Sequence, residues 1–294
     1  MNLAVADHPV RLIRFGTYEA PVKFDDCDDL LLGFKSILRG WDVVEVQREE
    51  TASPIIRFGK RNGWFFWRSK HLHPPKGWRP HGPRKVMDAV ADFHYRFLDW
   101  HSQEFTEQFC LHCAAVEMNG GLVIFPSIQK AGKSTLVAEL AMKGYRIYCD
   151  DVLPIDPENT YGIAMGILPR LRLPLPQSLS KNHLKFVNSR IGLSDRFAAY
   201  IDLQDTELAV FGASAPIRAI ILLQRQTEAV PAKLSKAGSA QSIAKLIDQN
   251  FARHLSPTRI FDSMLSIVEN SELRSLEFSD VEEAANLIAQ EFGG

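Results

Sequence analysis

Residues 125 to 152 read FPSIQKAGKSTLVAELAMKGYRIYCDDV. An apolar run ends in proline, a short polar loop closes on Gly132-Lys133-Ser134-Thr135, a helical pattern follows, and a second apolar run leads to two adjacent carboxylates. Strand, loop and helix in this order make a phosphate-binding loop, because the backbone N–H groups that open the helix have no partner of their own and face an anion. The pattern G-x-x-x-x-G-K-[ST] is met except at its first position, where Ser127 stands for glycine. The expected cradle is Ser127, Ile128, Gln129, Lys130, Ala131, Gly132, Lys133, Ser134 and Thr135. In it Gly132 permits close approach of the chain, Lys133 neutralises the transferring oxygens and the Ser134 hydroxyl ligates magnesium. Without the first glycine, Gln129-Lys130-Ala131 must make the turn.

Working outward, Leu136, Leu140 and Ala141 share a face of the helix, and Gly144 ends it in the left-handed conformation that glycine adopts cheaply. YRIYC is a short strand, and its end places Asp150 and Asp151 beside the start of the helix. Upstream, LHCAAVEM (111 to 118) and GLVIFP (121 to 126) are strands joined through Asn119-Gly120, the dipeptide best suited to a tight hairpin. Transfer of a phosphoryl group to a hydroxyl needs a carboxylate near the nucleophile and a metal bridging the phosphates. The Asp150-Asp151 pair supplies both functions; the blander reading of either residue is a cap for the next turn.

Residues 111 to 152 as a unit resemble the HPr kinase/phosphorylase superfamily, and within it the HPr-kinase-related proteins of unassigned substrate. The resemblance rests on a histidine before a hairpin, a phosphate loop, a K-x-G helix end and an Asp-Asp strand end. It implies an α/β fold of the HPr-kinase and PEP-carboxykinase type, with a phosphate-loop core and a central mixed sheet flanked by helices. It also implies ATP and Mg2+ as cofactors. By the same resemblance His112 is the hairpin histidine, Lys133 the phosphate-binding lysine, Ser134 the magnesium hydroxyl, and Asp150 and Asp151 the metal-binding and proton-accepting carboxylates, in either order. Arg218, in APIRAIILLQR, stands where the family has an active-site arginine ahead of an apolar strand. The chain departs from the family at Ser127 and near residue 175, where GILPRLRLPLPQSL holds no second magnesium-ligating glutamate. Phosphorylase activity is therefore not implied.

The chain has 294 residues, 34 basic against 35 acidic, for a formal net charge of -1. No global field attracts nucleic acid or an anionic membrane, so an anion site must be local. No apolar run reaches the ~18 residues of a membrane span, and the amino terminus carries Asp7 and His8 where a secretory signal has its apolar core, so a cytoplasmic location is expected. Four scattered cysteines read as free thiols.

Prolines 74, 75, 80 and 83 with Gly77 and Gly82 place a boundary near residue 84, dividing an N-terminal accessory domain (1-84) from a kinase domain (85-294). The accessory domain is expected to recognise the acceptor or a partner. Val86, Val90, Phe93, Phe97 and Trp100 predict one amphipathic helix over roughly 85 to 105, docked on the sheet of the kinase domain. Trp64, Phe65, Phe66 and Trp67 read as a strand buried on both faces, with base stacking as the alternative. The basic segment from Arg170 to Arg190 is either a solvated loop or a grip for an anionic substrate. His71, His73 and His81, and Cys110, His112 and Cys113, lack the spacing of a zinc site. Ser256-Pro257 opens a helix, and Ser279 to Glu282 form a capping box.

The expected activity is transfer of the γ-phosphoryl group of ATP to a hydroxyl on a small protein, a peptide or a metabolite, with no nucleic-acid or membrane partner and with self-association open. The alternatives are a nucleotide-binding regulatory or scaffold protein whose eroded loop binds without turnover, and a phosphoenolpyruvate-carboxykinase-like enzyme, for which the chain is short.

Overall fold

A computed structural model describes residues 9–47, 53–69, 85–105, 107–127, 131–251 and 255–294. The chain forms two units, Met1–Glu104 and Phe105–Gly294. The division thus falls after Glu104 rather than near residue 84.

The first unit contains β1 (Val10–Phe15), β2 (Val22–Asp25), α1 (Asp28–Ser36), β3 (Val43–Glu45), β4 (Ile56–Arg61), β5 (Trp64–Ser69) and α2 (Val86–Glu104). Its sheet has the order β3-β1-β2-β4-β5. Alternation along the strands turns Phe15, Phe24 and Phe58 to one face, where they meet Phe34 of α1 and Phe93 and Phe97 of α2. The helix predicted at 85 to 105 therefore exists, and its apolar stripe docks on this aromatic sheet, where the sequence reading expects the sheet of the kinase domain. A helix stripe fixes which side is buried and leaves the choice of sheet open. The aromatic run is also corrected. Phe65 is buried while Trp64 and Phe66 are 47% and 51% exposed, because among the described residues α1 and α2 pack on the face that carries Phe15 and Phe58.

The second unit is mixed α/β. It contains β6 (Phe109–Met118), β7 (Gly121–Pro126), α3 (Lys133–Met142), β8 (Arg146–Cys149), β9 (Val152–Ile155), β10 (Tyr161–Ile163), β11 (Arg170–Arg172), α4 (Lys181–Asn188), β12 (Ile191–Ser194), β13 (Ala198–Ile201), β14 (Ser214–Arg225), β15 (Lys233–Lys236), α5 (Ser239–Gln249), α6 (Pro257–Glu269), β16 (Glu272–Phe278) and α7 (Val281–Phe292). The central sheet runs β10-β9-β6-β7-β14-β16-β15, with β8 also paired to β6. β6 and β7 form the expected hairpin, and Asn119 and Gly120 take the positive φ values, 46° and 74°, that its turn requires. The pairs β7–β14 and β14–β16 are parallel, so the sheet is mixed.

Phe109, Leu111, Cys113 and Ala115 of β6 share a core with Leu246 of α5 and with Ile260, Met264 and Ile267 of α6. Alternate residues, among them Ala114 and Val116, are equally buried. They face the other side, where α3 packs on β6 and on α7, so helices flank the sheet on both faces. Ser256 caps α6 as expected, its hydroxyl accepting the Arg259 N–H. The cap of α7 sits one residue later than the capping box predicts. Asp280 accepts the Glu283 N–H, while Ser279 is held by the backbone of Val230.

Between β10 and β14 the chain forms a small sheet, β11-β13-β12, and α4. This portion is not a solvated loop. Its anchor is a hydrogen bond between His183 of α4 and Glu139 of α3, both 1% exposed.

Candidate functional site

β6 lies between β7 on one side and β8 and β9 on the other, and three neighbouring residues of it set the level of the site. Cys113 faces Pro126, the last residue of β7, so the loop leaves the sheet at that height. On the opposite side Ala115 faces Cys149 and His112 faces Val152, so Asp150 and Asp151 lie opposite Ala114 and Cys113. Two inter-strand spacings, about 10 Å, separate the root of the loop from the carboxylates. The sequence reading places the pair at a strand end. In the structure it interrupts a strand that resumes at Val152 in unchanged register.

Of the expected cradle, Ile128, Gln129 and Lys130 lie outside the described residues. Gly132 precedes α3 with φ of 90°, a left-handed conformation that glycine tolerates. Lys133 is buried and donates from Nζ to the Ser127 carbonyl oxygen at 2.6 Å. Burial lowers its proton affinity, and the charges of Asp151 and Asp150 act in the opposite sense. The Ser127 hydroxyl is buried without a hydrogen-bond partner. Ser134 and Thr135 form the first turn of α3.

The two carboxylates differ in environment. Asp150 accepts the Arg170 backbone N–H on Oδ2 at 3.2 Å, whereas its Oδ1 is buried and unpartnered. Desolvation, then the charge of Asp151, pushes its carboxyl from 3.8 up to about 6. The Ser134 hydroxyl, the Arg170 N–H and Lys133 pull the other way; Ser134 lies near enough to do so without making a hydrogen bond of good geometry to Oδ1. Asp151 is exposed and pairs with His112, whose Nε2 lies 2.8 Å from Oδ1. The other ring nitrogen of His112 meets the Gln249 side-chain oxygen at 3.0 Å. Gln249 reaches it because the end of α5 is tied to β6 by a bridge between Leu111 and Asn250 and by the Phe251 N–H bonded to the Cys110 carbonyl.

His112, Lys133, Ser134, Asp150 and Asp151 thus converge. Arg218 does not. It stands near the start of β14 against Gly121, at the far end of β7 from the loop. The arginine beside the loop is Arg225, at the other end of β14. Its Cδ and Nη1 lie 3.4 and 3.5 Å from where a side chain on Gly132 would begin. It is exposed and has no ion pair among the described residues. Seven residues of strand, about 23 Å, separate the two arginines. Gln249 and Arg225 are the site residues that the sequence does not announce.

Among the described residues no group of three or more His, Cys, Asp and Glu side chains could by itself hold a metal ion. A magnesium ion bound through phosphates needs no such group, since one or two carboxylates, a hydroxyl and water complete its shell. The Ser134 hydroxyl and the Asp150 carboxylate are hard oxygen donors of that kind, and the unpartnered Oδ1 is an acceptor that a cation would satisfy. All four cysteines are buried free thiols, Cys110 among them pushed up to about 12 by desolvation. No helix among the described residues is long and apolar enough to cross a membrane.

No protein-family model matches the chain, and no curated protein does. Among solved structures, the HPr(Ser) kinase/phosphatase from Coxiella burnetii matches over 62% of this chain and 91% of its own, at 12% identity and a TM-score of 0.29. At that score and identity the likeness is too weak to carry weight for fold or activity.

Proposed function

We propose that the chain is a phosphate-loop kinase that transfers the γ-phosphoryl group of ATP to a hydroxyl on a small protein, a peptide or a metabolite. The observation that carries this reading is the convergence of Lys133 and Ser134, at the start of α3, with an Asp150 carboxylate pushed up to about 6 and an exposed Asp151.

The two environments divide the work. Asp150, crowded by Ser134 and Lys133, belongs with Ser134 to the magnesium set, where a bound cation relieves the cost of its buried charge. Asp151 faces solvent and accepts the proton of the attacking hydroxyl, oriented by His112, which is itself held by Gln249. Lys133 exchanges the Ser127 carbonyl for phosphate oxygens, and Arg225, beside Gly132, approaches the same oxygens. Ser134 and Asp150 would hold magnesium, which would supply charge to offset that of the phosphates. The acceptor oxygen bonds to the γ-phosphorus as the bond to the β-γ bridging oxygen breaks, leaving ADP and a phosphomonoester.

Thermal denaturation with and without magnesium and ATP tests the binding step. A ligand at ~100 times its dissociation constant stabilises the native state by about 2.7 kcal/mol. The wild type should show that shift and Lys133→Ala should lose it; no shift at millimolar nucleotide would sink the reading. Transfer of label from γ-labelled ATP to protein or small-molecule fractions of a cell extract then tests turnover. Binding without any labelling would favour the scaffold alternative.

A further inference from the structure

The solvent face of the first unit's sheet carries an unusual set of side chains. Register across the strands puts Lys23, Arg57 and Arg68 in one row, on β2, β4 and β5. Adjacent strands stand about 4.8 Å apart, so three cations share roughly 10 Å of surface. Like charges directly opposite on a sheet destabilise it. Lys23 is offset by Asp25 at 3.2 Å, but Arg57 and Arg68 are exposed and have no ion pair among the described residues. The neighbouring row holds Asp25, Gly59 and Phe66. Phe66 lies flat over Gly59, its ring atoms 2.4 to 3.2 Å from where a Cβ would be, and presents its outer surface to water. Trp64, 47% exposed, stands two residues along the same strand beside Arg61.

We infer that this face is a docking surface for an acidic polypeptide segment that carries an apolar side chain next to its carboxylates. The inference is independent of the nucleotide reading. The charge is complementary, because Arg57 and Arg68 present planar forks that suit carboxylates and are relieved of mutual repulsion when one binds. Exposed tryptophan, phenylalanine and arginine together are also the residues that dominate protein interfaces. A polypeptide suits the face better than a single-stranded nucleic acid does. A phosphodiester chain carries a charge at every nucleotide, and Asp25 occupies the row of Phe66, where a base stacked on the ring would bring its phosphates close to a carboxylate.

The test uses the full chain and a fluorescein-labelled random copolymer of glutamate and tyrosine, read by anisotropy at 50 and 300 mM salt. Binding should appear at low salt, weaken at high salt, and weaken at least tenfold in the Arg57→Gln, Arg68→Gln double variant. Arg218→Gln, which removes a charge from the other unit, should bind like wild type, and melting curves should confirm that every variant is folded. Three outcomes would each overturn the inference: no binding at 50 mM salt, equal binding by the folded double variant, or tighter binding of an oligothymidylate of equal charge.

Discussion

Replacing Asp150 with asparagine should make the protein more stable and less active. The carboxyl is pushed from 3.8 up to about 6, chiefly by desolvation and then by Asp151. Between those two values the folded chain binds more protons than the unfolded one, so this group's contribution to stability falls as pH rises through the window and stays at its lower level above about 6. At 1.36 kcal/mol per pH unit the full cost is ~3 kcal/mol, a ceiling because side chains relax around a buried charge. Asparagine carries no charge at any of these pH values, and its oxygen can still accept the Arg170 N–H. For a domain of this size each kcal/mol moves the melting temperature by roughly 2–4 °C, so the ceiling is ~6–12 °C at pH 7.5. The assay is a melting series of wild type and Asp150→Asn at pH 4, 5, 6 and 7.5, with chelator and without nucleotide. The difference should open between pH 4 and pH 6 and hold constant beyond. Phosphoryl transfer by the same variant should fall by roughly 10²-fold or more, the trade expected where an active site stores unfavourable charge. A variant no more stable than wild type at pH 7.5, or a difference that ignores pH, would refute the account of Asp150 as a desolvated carboxylate.

Gly132→Ala forces a side chain onto a φ of 90° beside Arg225, and should cost about 1–2 kcal/mol in melting experiments while weakening nucleotide binding. Arg225→Gln should reduce the thermal shift produced by magnesium and ATP, whereas Arg218→Gln should leave it intact; the reverse pattern would refute the role given to Arg225. A fragment of residues 105–294 should fold and keep its nucleotide response, while one of residues 85–294 should aggregate, because it carries the stripe of Phe93, Phe97 and Trp100 without the sheet that buries it. Solubility and light scattering of the two fragments decide that point.

The parts of the fold legible in the sequence are those fixed by neighbours along the chain. Asn119-Gly120 specifies its turn, Gly144 takes the left-handed conformation after α3, and Ser256-Pro257 starts α6, each through backbone chemistry within a few residues. His112, Lys133, Ser134 and the Asp pair come together because the segment from β6 to β9 is itself nearly continuous. What escaped depends on contacts across the fold. Gln249 lies 137 residues from His112, and nothing in α5 marks its last residue as a partner. Arg225 is distinguished from Arg218 only by the direction in which β14 runs past β7, a parallel register that no local pattern encodes. The cap of α7 shifted by one residue because Ser279 and Asp280 are both competent caps, and Ser279 is drawn off by the distant Val230.

Because Cys149 and the whole of β9 keep one register along β6, the Asp150-Asp151 dipeptide between them behaves as a rivet rather than as a loop. Its height above the sheet is set by ladders on both sides and owes nothing to the segment between Pro126 and Gly132. Drift in that segment, including the exchange of a glycine for Ser127, leaves the carboxylates where they are. An insertion or deletion of one residue between Cys149 and Val152 would instead turn every side chain of β9 to the opposite face. The crossing between β7 and α3 is therefore constrained by its own conformation, above all at Gly132, and not by the carboxylates, whereas the crossing between β8 and β9 must keep its count.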